Sequence, residues 1–104
     1  MKPRFRHFHF VGVGGIGMAA LAELLHARGH VVTGTDLVAG ATFERLRKLG
    51  VRVDQGHEAA RVEGADVVVR SSAISNENPE LAAARRLGLP IVGRGALLAE
   101  LLRK

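Results

Sequence analysis

The stretch His7-Phe8-His9-Phe10-Val11-Gly12-Val13-Gly14-Gly15-Ile16-Gly17-Met18 decides how the rest of the chain is read. Phe8, Phe10 and Val11 form a short bulky run that passes straight into four glycines, and an apolar run from Met18 to Leu25 follows. Bulky residues favour a strand, clustered glycines a tight turn, and a longer apolar run a packed helix. Gly12, Gly14 and Gly17 match G-x-G-x-x-G in the strand–turn–helix setting that gives the pattern meaning. There the first glycine makes the turn, the second lets the backbone approach a pyrophosphate, and the third lets the helix pack on the strand. The unpaired N–H groups of the first helical turn face such a ligand at the positive end of the helix dipole. The motif therefore points to a bound diphosphate without saying what the diphosphate carries. A purely structural turn is the competing reading.

Outward from this corner, strand and helix signals alternate. The first strand is His7 to Val11, with His7 and His9 on one face and Phe8 and Phe10 on the other. Two histidines at i, i+2 suit a metal, but no third ligand is evident, so a structural role is favoured. A helix from about Gly15 to Arg28 ends at Gly29, and a β-branched strand runs from His30 to Thr35, closed by Asp36. Thr42 is the expected cap of a short helix with Phe43, Leu46 and Leu49 on one face, stopped by Gly50. Val51 to Asp54 makes a third strand, followed by the turn Gln55-Gly56-His57 and one helical turn near Glu58 to Arg61. Val67-Val68-Val69 marks a fourth strand, Ala65 to Arg70, buried on both faces. Asn78 and Pro79 are N-cap and first residue of a helix ending at Leu87-Gly88. Pro90 to Gly93 is the fifth strand, and an amphipathic helix from about Ala96 to Arg103 carries Leu97, Leu98, Leu101 and Leu102.

This alternation, with short connections and no internal repeat, predicts an α/β fold. The expected form is a Rossmann-like, doubly wound, mostly parallel five-stranded sheet with helices on both faces, in order 3-2-1-4-5. Ligands of such sheets bind at the carboxyl ends of the strands. Those ends carry Gly14 to Met18, Asp36-Leu37, Gly56-His57, Ser71 to Ile74 and Arg94.

The 104 residues suit one domain. No apolar run is long enough to span a bilayer, and Met1 to Arg6 lead directly into a strand without the pattern of a signal peptide. The chain has no cysteine, which removes disulfides and thiolate metal sites and fits a cytoplasmic location. The net charge of +5 rests on scattered arginines, with only four Phe for base stacking, so phosphate affinity is a better reading than nucleic-acid binding.

Each polar candidate has a plain alternative. Asp36 lies 24 residues beyond Gly12, the spacing at which an acid takes ribose hydroxyls in NAD proteins, or it solvates a strand end. His57 sits in a polar turn where a surface histidine is ordinary. Ser71 and Ser72 bond a phosphate or satisfy orphan loop amides. Arg94 neutralises a phosphate or faces solvent. Asn78-Pro79-Glu80 reads as a cap with no chemistry. No G-x-x-x-x-G-K-[ST] loop is present, since Lys2, Lys48 and Lys104 do not follow glycine, and no nucleophile triad or carboxylate pair stands out. From the residues alone the chain is a module for a nucleoside diphosphate, with an NAD-binding regulatory or dehydrogenase module as the alternative.

The same residues resemble a known family, the N-terminal domain of the bacterial Mur ligases, and most closely its alanine-adding branch. The matching segments are His9 to Met18, then Gly34-Thr35-Asp36-Leu37 with Thr42 and Leu46, then Gly56-His57, Ser71-Ser72-Ala73-Ile74, Asn78-Pro79-Glu80 and Arg94. They follow in family order across nearly the whole chain. The resemblance implies an ATP-dependent, cytoplasmic step of peptidoglycan synthesis. In it the lactyl carboxylate of UDP-N-acetylmuramate is phosphorylated and the amine of L-alanine attacks the acyl phosphate. It implies that this domain holds the UDP end of the substrate. Gly14, Gly15, Ile16, Gly17 and Met18 would cradle the diphosphate, while Asp36, Leu37 and His57 border the uridine. Ser71, Ser72 and Ala73 would line the opposite wall, with Arg94 matching a family arginine. It implies no metal and no cofactor on this domain, with ATP and Mg²⁺ handled by further ligase domains in cis. Two departures stand out. Where the family often reads Arg-Ala-Glu-Met this chain reads Arg94-Gly95-Ala96-Leu97, and it stops at Lys104 before the family's ATP loop. The chain is therefore expected to be a fragment that binds nucleotide-sugar without ligating it. An exposed stripe of Leu97, Leu98, Leu101 and Leu102 is expected to favour self-association.

Overall fold

The computed structural model describes residues 6–103. Residues 1–5 and Lys104 lie outside the described residues. Five strands, β1 (His7–Val11), β2 (Val31–Asp36), β3 (Arg52–Gln55), β4 (Val67–Arg70) and β5 (Ile91–Gly93), form one sheet. Its order is β3-β2-β1-β4-β5, and every neighbouring pair is parallel. The helices are α1 (Met18–Ala27), α2 (Ala41–Lys48), α3 (Pro79–Arg86) and α4 (Arg94–Leu102), with a 3-10 turn at Ala59–Val62. The doubly wound expectation and its strand order hold.

Strand alternation sorts the core into two clusters. Phe8, Phe10, Val32, Val53, Val67 and Val69 meet Leu21, Leu25, Phe43, Leu46 and Leu97 from α1, α2 and α4. On the other face a smaller cluster joins Val11 and Val68 to Val62, Leu81, Ala83 and Ala84 from the 3-10 turn and α3. Gly34 sits against Val13, where an added Cβ would lie 2.8 Å from the valine Cβ, so the glycine lets the corner close on β2.

Three α-helix starts differ from expectation, and the bounds of β2 to β5 shift by one or two residues. The first helix starts at Met18 rather than Gly15, because Gly17 stands at φ +78° and the corner is made of turns, with Gly15 N bonding Gly12 O and Met18 N bonding Gly15 O. Thr42 is not a cap: extended Gly40 precedes the helix, and its carbonyl accepts Glu44 N at 3.0 Å. The last helix begins at Arg94, directly after β5. The leucine stripe of this helix faces the core. Leu97 is buried, Leu98 and Leu101 pack against the core, and of the four only Leu102 is exposed, at 71%. The expected apolar stripe is therefore largely covered by the fold itself.

Candidate functional site

All strands are parallel, so their carboxyl ends share one edge, and the glycine corner lies there between the ends of β2 and β4. The corner is anchored on both sides. Gly12 N and Val13 N donate to Thr35 O at 2.9 and 3.0 Å, while Ser71 N donates to Val11 O at 3.0 Å. Gly12 adopts φ +84° with Ser71 and Ile74 so near that a Cβ would come within 2.9 Å. Only glycine meets both demands.

The expected site residues separate into groups around this corner. Ile16, Met18, Ser71, Ser72 and Arg94 line one cleft of about 550 Å³, together with Arg70, Gly93 and Gly95. Ile16 at its rim is 99% exposed. Ala73 adjoins this wall, and its amide donates to Ser71 Oγ at 3.2 Å, so that hydroxyl does satisfy a loop amide. Gly14 and Asp36 instead line a small groove of about 130 Å³ beside Thr42 and Phe43. Asp36 Oδ2 accepts Gly14 N at 2.9 Å and Oδ1 accepts Val38 N at 3.2 Å. The carboxylate thus braces the corner from the β2 side.

This arrangement changes the expected roles of the glycines. The space kept open by Gly14 faces Asp36, where a Cβ would stand 3.1 Å from the carboxylate oxygen. The space kept open by Gly17 is filled by Arg94, since a Cβ there would lie 2.6 Å from the arginine Cδ. Gly17 therefore admits a guanidinium to the corner rather than a helix to the strand. Nor is every amide from Gly14 to Met18 available. Those of Gly14, Gly15 and Met18 are spent on Asp36, Gly12 and Gly15, whereas Ile16 and Gly17 donate no hydrogen bond among the described residues. Two free amides beside Arg94 make a compact anion-attracting corner.

Arg70, at the end of β4, is a residue that the sequence reading passed over. It donates to Asn76 Oδ1 and to Ile74 O, so it tethers the loop after β4 while lining the cleft.

On the β3 side, Gly56 N donates to Asp36 O at 2.8 Å and Gln55 Nε2 to Leu37 O at 3.0 Å. The Gln55–His57 turn and the Asp36-Leu37 segment are one unit, with Leu37 and Val38 exposed beside it. His57 departs from the ordinary surface histidine: its ring is turned inward, with Nδ1 2.9 Å from Thr35 Oγ1. Both are held by Glu80, which is fully buried although the sequence assigns it only to a cap. The cap exists too, since Asn78 Oδ1 accepts Glu80 N at 2.8 Å. The Glu80 carboxylate itself takes His9 Nε2 at 2.7 Å, Thr35 Oγ1 at 2.8 Å and Glu58 N at 3.0 Å. Burial works to raise its pKa, but the hydrogen bonds from His9, Thr35 and Glu58 and the attraction of His9 prevail and hold it below its ordinary value of 4.5. His7 and His9 share the Thr33 hydroxyl, at 2.8 and 2.7 Å, which gives the pair its structural role. Among the described residues no group of three or more His, Cys, Asp or Glu is placed to hold a metal ion, and no helix is long and apolar enough to cross a membrane.

Comparison with known proteins agrees with this architecture. UDP-N-acetylmuramate–L-alanine ligases from Chromobacterium violaceum and Sorangium cellulosum are 53% identical over 103 residues and 57% identical over 102. These alignments cover 99% and 98% of this chain but 22% of each relative, so the chain spans about a fifth of their length. The crystal structure of UDP-N-acetylmuramate-alanine ligase MurC from Thermotoga maritima superposes with a TM-score of 0.89 at 34% identity, over 93% of this chain and 23% of that one. UDP-N-acetylmuramate:L-alanyl-gamma-D-glutamyl-meso-diaminopimelate ligase from Neisseria meningitides gives 0.85 at 29%, over 95% and 32%. The NADP complex of the transcriptional regulator NmrA matches at 0.68 and 22% identity, which speaks for the fold alone. A family model described as Mur ligase family, catalytic domain, spans residues 7–104, and with the glycine corner and the parallel sheet in place the chain belongs to the Mur ligase family.

Proposed function

We propose that this chain is the N-terminal, UDP-N-acetylmuramate-binding domain of a cytoplasmic ligase that adds L-alanine in peptidoglycan biosynthesis. The observation that carries the reading is the corner where the free amides of Ile16 and Gly17 lie beside Arg94 at the carboxyl edge of the sheet. Two linked phosphates there receive main-chain donors, a guanidinium and the field at the start of α1. Ser71, Ser72 and Ala73 form the wall on the β4 side. Asp36, Leu37 and the His57 turn form the uridine side, with Gly14 and Gly15 shaping the loop between them.

The chemical step of this proposal, phosphorylation of a carboxylate and attack by an amine, falls to further domains in cis that handle ATP and Mg²⁺. The residues present do not fit those groups, since the sequence has no G-x-x-x-x-G-K-[ST] loop and the described residues no metal-ligand cluster. This domain's own contribution is to bind and orient the nucleotide end of the substrate.

The alternative, an NAD module, is less well supported. Its key residue would be Asp36 on a ribose, and each oxygen of that carboxylate already has one lone pair committed to a backbone amide of the corner or of Val38. Melting curves separate the two. UDP-N-acetylmuramate, and more weakly UDP, should raise the Tm of this chain by mass action, while NAD leaves it unchanged. Gly17→Val should abolish the shift and Arg94→Ala should weaken it. Stabilisation by NAD with none from the uridine nucleotides would reject the assignment.

A further inference from the structure

Arg70 and Arg94 line the same cleft, Arg70 from the end of β4 and Arg94 from the start of α4. Neither guanidinium has a carboxylate partner among the described residues, where the arginines in ion pairs are Arg45, Arg47, Arg52, Arg61 and Arg103. No acidic residue lines the cleft either. Its remaining polar groups, the Ser71 and Ser72 hydroxyls and the free amides of Ile16 and Gly17, are neutral and able to donate. Positive charge gathered without a counter-charge repels itself, and a bound anion relieves that repulsion.

Arg70 is held in place by bonds that leave its charge unpaired. Its Nη1 donates to Asn76 Oδ1 and its Nη2 to Ile74 O, both neutral acceptors, and the side chain is half-buried. A guanidinium carries more N–H groups than these bonds use, and its planar fork suits phosphate oxygens. The loop that it fastens is also the one that closes on the glycine corner. A Cβ on Gly12 would lie 3.0 Å from Ile74 Cγ1, and one on Gly15 3.1 Å from Ser71 Oγ. One side chain therefore sets the β4 wall and brings a fixed cation to it.

We propose that Arg70 is a second phosphate-binding residue of this cleft, gripping from the β4 wall an anion that Arg94 meets at the corner. The class of ligand this selects is a diphosphate over a monophosphate, because two linked phosphates offer each guanidinium a negative charge. The inference rests on the nucleotide reading above and adds to it a cation supplied by the sheet.

Titration calorimetry with inorganic pyrophosphate, inorganic phosphate and UDP, at fixed ionic strength, tests it. The wild-type chain should bind pyrophosphate and UDP, and should prefer pyrophosphate to phosphate. Arg70→Met should weaken pyrophosphate and UDP about tenfold and narrow that preference. The affinity that remains should depend less steeply on salt. Arg70→Lys, which keeps the charge without the fork, should fall between the two. Asn76→Ala cuts one tether of the loop and leaves the charge in place, so it should bind pyrophosphate more tightly than Arg70→Met does. Unchanged pyrophosphate affinity in Arg70→Met overturns the inference. So does an equal loss in Asn76→Ala, which would mean that Arg70 only shapes the loop. If Arg70→Met does not fold, Arg70→Lys decides, and affinities equal to those of the wild type overturn the inference. A wild-type chain that binds neither pyrophosphate nor UDP overturns the nucleotide reading as well.

Discussion

On one face of the sheet, Phe8, Phe10, Val32, Val53, Val67 and Val69 pack under three helices in a continuous apolar cluster. The residues alternating with them on β1, β2 and β3 are polar: His9 and Thr35 are buried, His7, Thr33 and Asp54 half-buried, and Arg52 exposed, along a groove beside the 3-10 turn. The same strands thus present oil on one side and a hydrogen-bonded network on the other. Burial on the first face is non-directional and supplies most of the stability. The second face fixes geometry, because its hydrogen bonds are directional. The site edge is tied to the second face through Thr35 and the His57 turn.

The sharpest way to separate the two is Phe10→Ala. Phe10 is fully buried in the larger cluster, and truncating it should cost about 3–5 kcal/mol in a urea unfolding curve. The folded fraction should bind UDP with unchanged affinity. A large loss of affinity per folded molecule would show that the apolar face also shapes the site.

The network should reveal itself in acid instead. The folded pKa of Glu80 lies below 4.5, so between the two values the unfolded chain binds the proton first and stability rises with pH. The contribution is complete above about pH 4.5 and lost as pH falls through the folded value. Urea midpoints measured from pH 3 to pH 7 should therefore drop below about pH 4.5, and Glu80→Gln should flatten part of that drop. An equal drop in the variant would assign the acid sensitivity to other carboxylates, the half-buried Glu23 paired with Arg45 among them.

The two faces also differ in how far they could be read from the sequence. The apolar face is written in local signals: Val67-Val68-Val69 announces a central strand, and glycines mark where chain direction changes. Those signals and the short connections give the parallel class, while the strand order came by analogy with mononucleotide-binding halves. The glycine corner was legible as a strand-to-helix turn, but not in detail, since nothing local reveals that Gly17 would be left-handed with Arg94 lying on it. The network was not legible. Glu80 in Asn78-Pro79-Glu80 is fully explained by capping, while its partners His9 and Glu58 lie 71 and 22 residues away. One signal was present. Two histidines facing the same way from a central strand need acceptors, and a parallel sheet brings the helix after β4 over that face.

The smallest effect is the most local one, and it tests the same contrast at the helix ends. Both Thr42 and Asn78 read as caps, but only Asn78 makes the bond, with its side chain holding Glu80 N at 2.8 Å. Thr42 lies inside the first turn of α2, behind an extended Gly40 that has no side chain to offer. Asn78→Ala should therefore cost about 1 kcal/mol, and Thr42→Ala should stay within about 0.5 kcal/mol of the wild-type chain. Asn78 also sets the start of the helix from which Glu80 reaches the network, so its loss should loosen the His57 turn as well. Amide exchange at Glu58, whose N–H is held by the Glu80 carboxylate, should quicken in Asn78→Ala and remain unchanged in Thr42→Ala. Unchanged exchange in both variants would mean that the carboxylate is held by its partners on the sheet alone, and that the network, not the cap, places α3.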